Sequence, residues 1–71
     1  MISDEVLEAI RIAIGKEIEA SRFYSDLADK AADPGLKDLF RRLAAEEKAH
    51  QTKLNELHYN FLLDQTPPEA R

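Results

Sequence analysis

Three polar side chains interrupt two otherwise apolar helical stripes, and they are of the types that bind metal ions. Glu47 and His50 lie three residues apart in "AAEEKAHQ" (44–51), so on a helix both face the same side. Glu17 occupies a comparable position in the first half of the chain. Ionised groups in an apolar surface are costly unless they are paired or coordinate a metal. The pattern therefore predicts a cation site built from carboxylates and an imidazole.

The composition restricts which kind of protein could carry these residues. The chain has 71 residues, which is one small domain, and no cysteines, which excludes disulfides and thiolate metal sites. A formal net charge of −4 disfavours nucleic-acid binding. No apolar run approaches the roughly 20 residues of a membrane span, and the acidic start "MISDEVLEAI" does not resemble a secretory signal. We expect a soluble cytoplasmic protein that binds neither nucleic acid nor membrane.

Helix-forming residues dominate and predict an all-α fold of two antiparallel helices. Ser3 is suited to cap the first helix, which should run over about 4–32. Asp33 and Pro34 are suited to start the second, which should run over about 34–63. Residues 1–63 are thus predicted to form a helical hairpin, and residues 64–71 ("DQTPPEAR") a polar C-terminal tail.

The apolar residues of each helix recur three and four residues apart, as at the contact positions of an antiparallel bundle. The predicted contact positions are, in the first helix, Ser3, Val6, Ile10, Ala13, Glu17, Ala20, Tyr24, Leu27 and Ala31, and in the second Leu36, Phe40, Leu43, Glu47, His50, Leu54, Leu57 and Phe61. A short turn makes the helices antiparallel neighbours. That register sets Tyr24 opposite Phe40 and Ile10 opposite Leu54.

The same register places Glu17 at the height of Glu47 and within one turn of His50, so all three meet halfway along the hairpin. Two interpretations of this polar layer follow. It could hold a metal ion, because two carboxylates and an imidazole leave excess negative charge that a cation offsets. Alternatively it could fix helix register and partner choice, as a buried Asn does in coiled coils.

A two-helix hairpin has only half the core of a bundle and must bury its apolar stripe against something else. The simplest partner is a second copy related by a two-fold axis. Doubling Glu17, Glu47 and His50 gives four carboxylates and two histidines, the ligand set of two-metal sites in four-helix bundles. These ligands suit iron or manganese, with zinc as a further substitute. We therefore expect two metal ions per homodimer.

Three segments, "EIEASRFY" (17–24), "LKDLF" (36–40) and "LAAEEKAH" (43–50), resemble the rubrerythrin branch of the ferritin-like superfamily. The resemblance covers about Ile10 to Leu57. Because the chain has two helices rather than four, it is most similar to the encapsulated ferritins, which build a ferroxidase centre across a dimer interface. The resemblance implies that Glu17, Glu47 and His50 are catalytic iron ligands, that Tyr24 lies beside the centre and that Glu19 assists incoming metal.

The resemblance also implies a larger assembly, a ring of dimers, and residence within an encapsulin compartment. The tail "TPPEAR" lacks the Gly/Leu-rich peptide that directs cargo into such shells. The sequence also lacks a rubredoxin-like cysteine module, so rubrerythrin-like peroxide reduction requires an external electron donor.

Three hypotheses follow for the function. The first is a ferroxidase that oxidises Fe(II) with oxygen or peroxide, in iron storage or detoxification. The second is an interaction module whose metal ion staples the dimer without turnover. The third is a metal-free hairpin that binds other helices. His58 and Glu46 lie off the predicted contact positions and are expected at the surface.

Overall fold

A computed structural model describes the backbone of residues 3–64 and the side chains of residues 3–63. Within this range the chain forms two α-helices, α1 (Asp4–Lys30) and α2 (Pro34–Asp64), which contact each other as a hairpin. The predicted all-α hairpin is therefore confirmed. None of the described helices is long and apolar enough to cross a membrane. Residues 65–71 of the predicted tail lie outside the described residues.

Each helix begins with a side-chain cap at the residue the sequence indicates. The Ser3 hydroxyl accepts a hydrogen bond from the Val6 backbone N–H at 3.2 Å. The Asp33 carboxylate accepts one from the Leu36 backbone N–H at 2.9 Å. Both bonds satisfy a donor that the first turn of a helix leaves without an intrahelical acceptor. The caps fix where the two helices start and so their relative register.

The first helix ends at Lys30, two residues before the predicted end at residue 32, so that part of the prediction was wrong. Ala31 is already extended, with φ −71° and ψ 127°, although its N–H still bonds to the Leu27 carbonyl. Proline disfavours helical backbone in the residue before it, and a capping residue is itself non-helical. Asp33 precedes Pro34 and caps α2, so the chain must leave the first helix early.

The hairpin is one layer of helices, with extents of 56 × 20 × 13 Å. Among the described residues only five side chains are buried: Leu7, Ile10, Ser21, Ala28 and Ala44. Within residues 3–63, nine large apolar or aromatic side chains are 38–62% exposed. Such a thin layer encloses little volume, so most of its apolar surface remains in water.

The predicted contact positions are partly wrong, because of the five buried residues only Ile10 is at a predicted position and the other four lie one position later. Leu7 and Ser21 are buried, whereas the predicted Val6 is 46% exposed. In α2 the predicted Leu36 and Leu57 are 49% and 41% exposed. A helix with one neighbour buries only the narrow strip that faces it. The remainder of the apolar stripe forms a second face, beside the contact with the other helix.

The mid-helix glycine of α1 gives a test of this fold. A Cβ added at Gly15 meets no atom within 4 Å. Glycine weakens a helix interior because it has more conformational freedom when unfolded, so Gly15→Ala should raise the free energy of unfolding by about 0.5–1 kcal/mol. Urea denaturation at one fixed protein concentration measures the change.

Gly35→Ala is the matched control, because it adds the same methyl group to the other helix. Its Cβ would lie 3.1 Å from Asp33 Oδ2, the oxygen that caps α2. We expect a smaller gain or a loss at this position. Destabilisation by Gly15→Ala would contradict the prediction and indicate that another molecule packs closely against this turn of α1.

Candidate metal centre

Glu17 of α1 and Glu47 and His50 of α2 converge halfway along the hairpin. His50 Nδ1 lies 3.6 Å from Glu17 Oε2 and 3.7 Å from Glu47 Oε2. One ligand atom from each residue lies within 4.8 Å of the corresponding atoms of the other two. The structure thus brings together all three residues that the sequence predicts as ligands. Among the described residues, no further histidine, aspartate or glutamate belongs to this group.

The group is half-buried and opens towards one side of the hairpin. The exposed fraction of the side chain is 25% for Glu17, 21% for Glu47 and 54% for His50. Glu17 Oε2 is shielded from solvent and has no hydrogen-bond partner among the described residues. A carboxylate oxygen left in this state is costly, and a bound cation is one means of satisfying it.

The carboxylate of Glu17 disfavours the ionisation of Glu47. Ionised carboxylates can only accept hydrogen bonds, so a bond between Glu17 and Glu47 needs a proton on one of them. This proton-dependent bond is the main cause that raises the pKa of Glu47, and desolvation and the negative charge of Glu17 raise it further. His50 opposes these effects. The metal-free site therefore carries unfavourable negative charge at neutral pH.

The donor set fits a hard or intermediate metal ion. Carboxylate oxygens suit manganese and magnesium, imidazole suits iron and zinc, and the mixture is typical of non-haem iron or manganese sites. The solvent-shielded, unpartnered Glu17 Oε2 is consistent with a missing positive charge. When a metal is bound, Glu17, Glu47 and His50 would hold it. Three ligands from one chain leave coordination positions for other groups.

Tyr24 lies one heptad after Glu17 on α1 and is half-buried. Its ring packs edge-on against Phe23, with centroids 5.7 Å apart and planes at 64°. Among the described residues, no hydrogen bond joins its hydroxyl to the three candidate ligands. The predicted position beside a metal centre therefore stays a prediction, and the observed contact is aromatic packing.

The structure separates the remaining polar candidates from the group. Glu19 is exposed and is not part of the cluster, so its predicted role in metal uptake stays a prediction. Glu46 is exposed, as the sequence suggests. His58, which the sequence predicts at the surface, is half-buried and so less exposed than expected. It shares a half-buried side of α2 with Leu54 and Phe61, four residues before it and three after it.

Comparison with protein families identifies the relatives of this hairpin. The sequence pattern of the rubrerythrin family matches residues 4–69, nearly the whole chain. The chain belongs to the rubrerythrin family. Its two helices and its Glu/Glu/His group agree with a ferritin-like protein of this family, whose members typically bind iron. No curated protein and no solved structure is a significant match. The nearer likeness to encapsulated ferritins stays a prediction.

The raised pKa of Glu47 predicts how the metal-free protein responds to pH. Folding raises this pKa above 4.5, so the folded state favours the protonated acid and loses stability as the pH rises through the raised value. Glu47→Gln removes the ionisation. It should therefore raise the urea midpoint of metal-free protein at neutral pH, and leave it close to wild type well below pH 4.5.

Glu46→Gln is the control, because it makes the same change at the preceding, exposed position. Its urea midpoint should follow wild type at both pH values. Equal effects of the two substitutions at neutral pH would show that overall charge, and not the contact with Glu17, is responsible.

Proposed function

We propose that this protein is a di-iron ferroxidase whose site is completed by a second copy of the chain, and that it serves iron storage or detoxification. The observation that carries the proposal is the convergence of Glu17, Glu47 and His50, with a shielded and unpartnered carboxylate oxygen, in a member of the rubrerythrin family. The donor types and the family favour iron.

The need for a second copy is argued from the surface around His50. Leu57 lies seven residues after His50, on the same side of α2, and is 41% exposed. His50 itself is 54% exposed at the edge of the hairpin. An exposed apolar residue two turns from a half-exposed ligand, on the same side of the helix, favours coverage by another helical layer. A two-fold axis through this face would bring two copies of Glu17, Glu47 and His50 together.

In this proposal each side chain has a distinct task. Glu17 and Glu47 offset the charge of ferrous substrate and hold it between the helices. His50 supplies one neutral nitrogen and fixes a ligand direction, and the residue that orients its ring is expected to matter nearly as much. Two ferrous ions each give up one electron. Together they reduce oxygen to hydrogen peroxide, or hydrogen peroxide to water, with protons from solvent.

Two other functions are compatible with parts of the structure. The exposed apolar side chains favour a module in which a metal ion staples two hairpins without turnover. Membership in the rubrerythrin family favours peroxide reduction, which would need an external electron donor. Both use the same three ligands, so only turnover measurements distinguish them.

Ferrous oxidation is the direct test of the proposed activity. Fe(II) is added anaerobically to the full chain, and air or hydrogen peroxide is then admitted. Wild type should give a fast rise in ferric absorbance, because the site holds two ions in reach of one oxidant. Glu47→Ala should reduce the rate to that of buffer, since it removes a ligand.

Glu46→Ala is the matched control and should retain the wild-type rate, because its side chain is exposed and outside the group. Wild-type oxidation no faster than buffer would contradict the enzymatic proposal. If iron is nevertheless retained in a dimer, this favours a structural role in which the metal ion holds two hairpins together without turnover. Faster consumption of peroxide only when an electron donor is present would favour peroxide reduction.

Association of the hairpins can be tested separately, with a pair of leucines of similar exposure. Leu57 and Leu63 are 41% and 38% exposed, but they point to different sides of α2. Leu57→Lys should raise the dimer dissociation constant at least about tenfold, because each copy loses an apolar contact of roughly 1.5–3 kcal/mol. Native mass spectrometry and analytical ultracentrifugation measure the change.

Leu63→Lys is the control and should leave the dimer dissociation constant close to that of wild type.

We also expect chelation or acid to weaken the dimer, because the ligands bind metal only when deprotonated. A wild-type monomer at all concentrations, with or without iron, would exclude the shared site. A dimer whose dissociation constant is unchanged by chelation would show that association does not depend on metal binding.

A further inference from the structure

A concave region lies between the helices and is lined by none of the three residues of the metal group. It is a groove of about 440 Å³. Its polar lining comes from both helices: Ser21, Arg22, Ser25 and Asp26 of α1, and Lys48 and Gln51 of α2. Lys48 directly follows Glu47, and successive helical residues point about 100° apart. Gln51 lies four residues after Glu47, so the groove adjoins Glu47 on α2. It lies opposite His50, which is two residues, or about 200°, from Lys48.

A largely buried serine whose hydroxyl has no partner among the described residues lines this groove. Ser21 is only 5% exposed, and among the described residues its hydroxyl makes no hydrogen bond. A serine or threonine inside a helix often bonds to the carbonyl four residues earlier, as Thr52 does to Lys48 at 3.1 Å. With no partner among the described residues, the Ser21 hydroxyl is available to donate a hydrogen bond to an occupant of the groove.

Two cationic side chains reach the same groove from opposite helices and are unpaired. Within residues 3–63, the only ion pair of an arginine or lysine joins Arg11 to Glu8. Arg22 makes none, although Asp26 stands four residues later at a spacing that commonly forms an ion pair. Arg22 and Lys48 against the single Asp26 give the groove a net positive charge, in a chain whose net charge is −4.

We propose that this groove binds the phosphate group of a small anion, either inorganic phosphate or a phosphate monoester. Arginine presents a planar fork of donors that matches phosphate oxygens, and lysine adds a point charge. The hydroxyls of Ser21 and Ser25 supply further donors. The groove volume is within the usual range of small-molecule sites, about 300–1,000 Å³. Ile18, which also lines it, offers an apolar wall to the carbon part of an ester.

The proposal goes beyond the ferroxidase function and does not rest on it, so it is tested on metal-free full chain. Inorganic phosphate is titrated in a phosphate-free buffer at physiological ionic strength, and glycerol phosphate is titrated in a parallel arm. Amide chemical shifts and calorimetry report binding. We expect saturable binding, with shifts concentrated at Ser21, Ser25 and the side chain of Gln51.

Four substitutions test the role of individual side chains. Arg22→Gln should weaken phosphate binding by about tenfold, the value of one charge-assisted hydrogen bond. Ser21→Ala should weaken phosphate binding several-fold without changing the charge of the groove. If Ser21→Ala loses helicity, Ser25→Ala is measured in its place. Arg42→Gln removes the same charge at an exposed position outside the groove and should have little effect. Asp26→Asn should tighten binding, because it removes the one negative charge.

Three results would overturn the proposal. Equal weakening by Arg22→Gln and Arg42→Gln would show diffuse attraction rather than a site. Weaker binding by Asp26→Asn would show that the groove favours a cation. Absence of saturation in both arms would show that no phosphate group is recognised.

Two results would support the proposal. Equal affinity in the two arms would support recognition of the phosphate group alone. Tighter glycerol phosphate binding that Ile18→Ala removes would support recognition of a monoester.

Discussion

The close approach of the Glu17 and Glu47 carboxylates, which can bond only through a shared proton and repel each other when both are ionised, is the constraint on which the candidate metal centre depends. The helix caps and the short connection fix a register that sets these two groups at the same height, with only a half-exposed imidazole between them. The metal-free hairpin accommodates the conflict by favouring a proton on Glu47 and by leaving Glu17 Oε2 without a hydrogen bond, 3.6 Å from His50 Nδ1. A polar layer that only selected helix register would not need two like charges. The same repulsion becomes a source of affinity when a cation enters, because the ion satisfies both oxygens at once.

The thinness of the hairpin links this local conflict to association. A layer 13 Å thick buries five side chains among the described residues and leaves nine large ones in water. A second copy would cover the apolar side chains next to His50 and also restrict water around the ligands. Because electrostatic interactions strengthen as water is excluded, metal binding and association should favour each other. Thermodynamic linkage then requires that metal tighten the dimer by the same factor as dimerisation tightens the metal.

Much of the fold and of the candidate site could be predicted from spacing alone. Ser3 and Asp33 marked both helix starts, and the seven-residue recurrence of apolar positions gave the register that joins Glu17 to Glu47. The end of α1 was less predictable, because it depends on how the chain reverses before Pro34. The exposure of Val6 and Leu57 was also missed, since periodicity gives the width of an apolar stripe but not which part faces the neighbouring helix. The half-burial of His58 was missed for the same reason, because spacing alone does not show which side of α2 is covered. The groove at Ser21 has no sequence signal, because it depends on how the side chains of two helices, such as Ser21 and Lys48, come together in space.

Glu47 and Lys48 show how one helix can serve two sides of a thin structure. They are neighbours in sequence, yet one contributes to an anionic cluster and the other to a cationic groove. In a globular domain with several layers, one of these sides would be buried within the same chain. A hairpin leaves both accessible until assembly covers one of them. If a second copy covers the side with His50 and Leu57, the groove with Ser21 and Arg22 stays at the outer surface of the dimer. The metal centre would then be an internal site of the assembly, and the groove an external one that small anions reach without disturbing the interface.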